Sequence, residues 1–175
     1  MKKIIFSIFS VLTLLVLVGT TKALTYDERK AACDAAKTAS DASYNGTSQH
    51  ATNALSMKST SLGWRYNCVT IKGATENDMI PGDCSINEGN NRYSDGNTGV
   101  QDGDTAKGNA FSQWSSGNLL WMQGDKATAC VYYDLATPKY QAAKLKYDEA
   151  TDYYIMAYDY YLTAYDFYHD WYITH

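Results

Sequence analysis

Written in sevens from Tyr140, the C-terminal part of the chain reads YQAAKLK, YDEATDY, YIMAYDY, YLTAYDF and YHDWYIT. Tyr140, Tyr147, Tyr154, Tyr161 and Tyr168 share one position of this repeat, and Ala143, Ala150, Ala157, Ala164 and Trp171 stand three residues further on. Naming these positions a and d, the spacing predicts one long helix over 138–172, because a sustained seven-residue period keeps a single seam turned towards a partner. Two more columns widen the seam: Tyr158, Tyr165 and Tyr172 at e, and Tyr153, Tyr160 and Phe167 at g. Asp152, Asp159 and Asp166 line up at f as the water-facing stripe. A helix so nearly apolar all round belongs at the centre of a bundle or beneath another chain.

The pattern is weaker upstream. Residues 25–43, TYDERKAACDAAKTASDAS, read as a helix with a narrow face of Ala32, Ala35, Ala36, Ala39 and Ala42, ended by the turn signal Asn45-Gly46. A second helix is expected over about 47–64, a third over about 104–122, and a short one over 125–136 before Thr137-Pro138 starts a new segment or kinks a longer helix. Between Gly73 and Asn109 the chain holds 7 Gly, 6 Asn and 7 Asp or Glu with Pro81, which predicts a long polar loop. The expected fold is therefore an all-α, disulfide-stabilised bundle of about four helices, with 24–175 as one domain and the polar loop projecting from one end.

Composition sharpens one point. Of 16 tyrosines, 12 fall from Tyr132 onward, so the excess belongs to the heptad region. Tyrosine brings a longer aromatic body than leucine and a hydroxyl that needs water or a partner, and it is favoured at interfaces. Tyr147, Tyr154, Tyr158, Tyr161, Tyr165, Tyr168 and Tyr172 form the candidate contact face, with packing into the protein's own core as the plainer alternative.

The N-terminus reads as an export signal. Met1-Lys2-Lys3 precedes an apolar run from Ile4 to Val18, and small residues at Thr21 and Ala23 suit cleavage after Ala23. About 15 apolar residues fall short of the ~20 that span a bilayer. Loss of residues 1–23 removes three of the 15 Lys and Arg and none of the 19 acids, leaving a net charge of −7. Nucleic acid is thus excluded as a natural partner. The reading is a secreted or extracellular protein, in the periplasm or at the cell surface if the host is bacterial. Cys33, Cys68, Cys84 and Cys130 in an exported chain suggest two disulfides; three pairings are possible, and Cys68–Cys84, which closes a short loop, with Cys33–Cys130 is the favoured one. Asn45-Gly46-Thr47 fits a glycosylation sequon in a eukaryotic host.

Candidate chemistry is sparse. Asp95, Asn97, Asp102 and Asp104 gather oxygen ligands of the kind calcium takes, although the EF-hand spacing fails at Gly99, Val100 and Ala106. His169, between Asp166 and Asp170, is a candidate for a metal contact or proton transfer. No nucleophile, zinc or phosphate-loop motif occurs, so no catalytic residue is assigned and the chain reads as non-catalytic. Three functions fit: a structural or interaction protein working through helix assembly or its tyrosine surface; a ligand-binding module with a pocket lined by Trp114 and Trp121; and a calcium-dependent assembly protein.

Overall fold

The computed structural model describes residues 23–175 and contains three long antiparallel-connected helices: α1 (Tyr26–Lys72), α2 (Glu76–Met122) and α3 (Lys126–Thr174). The apolar run from Ile4 to Val18, read above as an export signal, lies outside the described residues. Each helix spans roughly 70 Å at 1.5 Å per residue. Thr25 and Thr75 start α1 and α2 with capping boxes to Glu28 and Asp78, and Asp125 accepts the Thr128 N–H at the start of α3. Gly73 and Gly124 take left-handed φ values of 74° and 87° in the two connections, a conformation that glycine adopts without strain.

α3 is the middle helix. It packs along both neighbours, whereas the α1 and α2 backbones seldom come close to one another. Parallel pairing of α1 with α3 follows a fixed offset of one hundred residues: the Thr47 hydroxyl donates to the Tyr147 carbonyl at 2.9 Å, Ser61 to the Tyr161 carbonyl at 2.6 Å, and the Cys68 thiol to the Tyr168 carbonyl at 3.1 Å. The buried residues of α1 are Cys33, Ser40, Thr47, Ala54, Ser61 and Cys68, one small residue every seven. α2 runs the other way and presents Gly82, Gly89, Gly96, Gly103, Ala110 and Gly117 at the same interval.

Tyr133, Tyr140, Tyr147, Tyr154, Tyr161 and Tyr168 fill the space between these two columns, and all six are buried. A Cβ placed on Gly96 would sit 2.6 Å from the Tyr154 ring, on Gly103 2.5 Å from Tyr147, and on Gly117 2.8 Å from Tyr133. Glycine is therefore required at these α2 positions by size. The result is six stacked layers, each a small residue of α1, a tyrosine of α3 and a glycine or alanine of α2. Ala129, Ala136, Ala143, Ala150, Ala157 and Ala164 complete the buried stripe of α3.

Several expectations are corrected here. There are three helices and not about four, and residues 76–109, expected to be most of a polar loop, lie inside α2. Its glycines are spaced for packing, and that outweighs their poor intrinsic helix propensity. Asn45-Gly46 is mid-helix in α1: both residues face solvent, and Thr47 and Ala54 carry the packing column through them. Pro138 likewise lies within α3. The alanine face expected on residues 25–43 is mostly outward, the buried column being Cys33 and Ser40.

No disulfide forms: all four cysteines are free. Cys33 and Cys68 are small fillers in the α1 column, about 50 Å apart along one helix. Cys84 faces solvent on α2, and the Cys130 thiol is directed at the Tyr26 carbonyl, 3.6 Å away. Packing across the layers takes the place of covalent bracing.

Candidate functional site

The tyrosine columns separate into internal and accessible sets. Tyr147, Tyr154, Tyr161 and Tyr168 are used up by the fold, with Tyr154 the most exposed of them at 3%. Their hydroxyls emerge on the far side of α2, where the residue after each glycine receives them: Tyr147 donates to Asp104 at 2.7 Å, Tyr154 to Asn97 at 2.8 Å, Tyr161 to Asn90 at 3.1 Å and Tyr168 to Asp83 at 2.6 Å. Tyr133 makes the equivalent bond to Asn118 at 2.8 Å. Burial raises the Tyr154, Tyr161 and Tyr133 phenols to about 12, with further upward pushes from Tyr93 on the first two and from Asp34 and nearby thiols on Tyr133.

Tyr158, Tyr165 and Tyr172 remain half-buried, facing α1 rather than its small-residue column. Trp64 of α1 meets this row edge-on, with ring centroids 6.3 Å from Tyr165, 5.3 Å from Tyr172 and 4.8 Å from His169. His169 in turn stacks on Tyr165 at 5.6 Å, and the Lys72 ammonium lies 5.0 Å from the Tyr172 ring centre. His169 approaches Asp170 only at 3.7 Å, so aromatic packing is its main engagement. Next along the row, an open groove of about 550 Å³ runs between α1 and α3. Its rim is His50, Asn53, Ser56 and Thr60, and its apolar side is Met57, Ile155 and Tyr158. Ile155 is 40% exposed there.

Other sequence candidates are dispersed. Asp95, Asn97, Asp102 and Asp104 lie on a continuous helix, where Asn97 and Asp104 accept tyrosine hydroxyls and Asp95 pairs with Arg92 at 3.4 Å. No group of three or more His, Cys, Asp or Glu able to hold a metal occurs among the described residues. Trp114 donates to Asp34 at 2.7 Å and Trp121 lies against Tyr133, so both serve the packing at one end of the bundle. Across the α1–α2 face, Arg65 forks onto Asp83, at 2.6 Å and 2.8 Å, and also reaches Glu76. Hydrogen bonding from Arg65 is the main reason the Asp83 carboxyl is held below its usual range.

Among the described residues no helix is long and apolar enough to cross a membrane. The residues that the sequence reading passed over are the glycine column of α2 and the Asn or Asp that follows each glycine. Their signal was a seven-residue period hidden inside a composition that resembles a loop. Compared with known proteins, the chain matches no family model, no curated protein and no solved structure, so its functional reading rests on its own residues.

Proposed function

We propose that this is an exported, non-catalytic interaction protein: a three-helix rod that offers the groove between α1 and α3 to a partner protein. The observation that carries the reading is the division of the tyrosines. The fold consumes the a column, while Tyr158, Tyr165 and Tyr172 stay half-buried, partly open to solvent beside Trp64 and the groove at Met57 and Ile155. Rigid aromatic residues bordered by short polar groups supply contact area at a low entropic cost, which is what a protein-binding surface needs. A partner segment laid along the groove would cover Ile155 and Tyr158 and place hydrogen-bonding groups against His50 and Asn53.

Selection of displayed random peptides on the immobilised protein tests this, with an Ile155→Lys/Tyr158→Lys variant as the counter-target. Ile155 is exposed and Tyr158 half-buried at the groove edge, and retained helicity and melting temperature verify the variant. The reading requires enrichment of a peptide class that binds the native protein and loses most of its binding to the variant. No enrichment, or equal binding to both proteins, contradicts it.

A further inference from the structure

One of the six layers breaks the rule kept by the other five. At Tyr140 the facing α2 residue is Ala110 instead of glycine, and the following residue is Phe111 instead of Asn or Asp. Tyr140 is fully buried, yet its hydroxyl has no hydrogen-bond partner among the described residues. The same holds for the Ser40 hydroxyl on the α1 side of the layer, where Thr47 and Ser61 each bond the α3 carbonyl opposite. Two orphaned buried hydroxyls in one layer are costly, since each has lost its hydration without replacement. Pro138, two residues before Tyr140, also removes a backbone donor from this stretch of α3.

Beside the irregular layer runs a groove of about 560 Å³ between α1 and α2, walled by the rings of Tyr44 and Phe111, with the fully buried Tyr140 at its floor. Its rim is charged but internally balanced. Lys37 and Lys107 share Asp41, at 2.8 Å and 2.7 Å, and Asp104 is the fourth charge, accepting the Tyr147 hydroxyl. A binding site with two cations and two anions at its edge favours an uncharged molecule. In the other layers the tyrosine hydroxyl meets a side-chain amide or carboxylate oxygen, and at Tyr140 that oxygen is the missing part.

We propose that this layer is a binding site for a small, uncharged aromatic carbonyl compound, whose oxygen accepts the Tyr140 hydroxyl while its ring packs between Tyr44 and Phe111. The ligand supplies from outside what Asn or Asp supplies in the regular layers. This groove is separate from the α1–α3 groove assigned to a partner protein, and neither assignment depends on the other.

Benzamide is the direct probe, titrated into the protein and followed by shifts of ring-labelled tyrosine resonances in NMR spectra, with benzoate and toluene as comparators. Saturable binding of benzamide is expected, with benzoate and toluene each weaker by about tenfold, the first for its charge and the second for its missing acceptor. Tyr140→Phe should reduce benzamide affinity about tenfold while leaving the protein as stable as before or more so, because it deletes an unpaired buried hydroxyl. Phe111→Asn, which restores the side-chain oxygen found at this position in the other five layers, should abolish binding by pairing the Tyr140 hydroxyl from within. Absence of saturable benzamide binding overturns the proposal, as does binding that Tyr140→Phe leaves unchanged or that toluene matches.

Discussion

Glycine in this protein has two opposite meanings that depend on a single side-chain contact. Gly96 and Gly103 lie under tyrosine rings, so Gly96→Ala forces a methyl into occupied space, while Gly46 and Gly63 have nothing within 4 Å of an added Cβ. Overpacking a filled site costs about 1–3 kcal/mol and alanine returns about 1 kcal/mol of helix propensity, so Gly96→Ala should be destabilising on balance. Gly46→Ala and Gly63→Ala should instead stabilise by roughly 0.5–1 kcal/mol each. Urea unfolding of the three variants checks the sign, and a stabilised Gly96→Ala would mean that the ring does not lie on the glycine. From sequence, the tyrosine column was legible at this scale because its residues are large and identical. Its counterparts were not: Cys33, Ser40, Thr47, Ala54, Ser61 and Cys68 share only smallness, and smallness is not scored by a search for apolar faces.

At the scale of the element, α3 was readable in advance from residue 138 onward, its first turns passing for a separate short helix before Pro138, and α2 was not readable as a single helix. The Tyr/Ala heptads specify α3 through large apolar area, and the expectation that so apolar a helix sits in the middle of a bundle agrees with its place between α1 and α2. α2 has the composition of a loop, with Gly82, Gly89, Gly96, Gly99, Gly103, Gly108 and Gly117 inside one helix. Each glycine disfavours the helix by about 1 kcal/mol relative to alanine, so α2 depends on the rings of α3 for its conformation. A peptide covering residues 74–124 should accordingly show little helix by circular dichroism in water. Strong helicity of that peptide alone would place the stabilisation of α2 in its own sequence and against this dependence. The cysteines mislead for a related reason: if the chain is taken to be exported, Cys33 and Cys68 look like bracing, but their spacing of five heptads makes them part of the small-residue column.

For the whole molecule, the layered arrangement ties stability to the protonation of its tyrosines. Burial raises the phenols of the a column, to about 12 for Tyr133, Tyr154 and Tyr161, and upward also for Tyr140, Tyr147 and Tyr168. An unfolded tyrosine ionises near 10. A group whose folded value is raised contributes stability that is complete below the unfolded value and is lost as pH rises through the folded one. The fold should therefore hold up to about pH 10 and weaken steeply towards pH 12 and above. The most direct measurement is a spectrophotometric titration of the 16 tyrosines with helicity followed in parallel. With the rings enclosed, the six a-column residues should ionise above the value near 10 of an unfolded tyrosine, and only together with loss of helix. A single phase near pH 10 in which every tyrosine ionises while helicity is retained would show that the rings are not enclosed between α1 and α2, and would contradict the account.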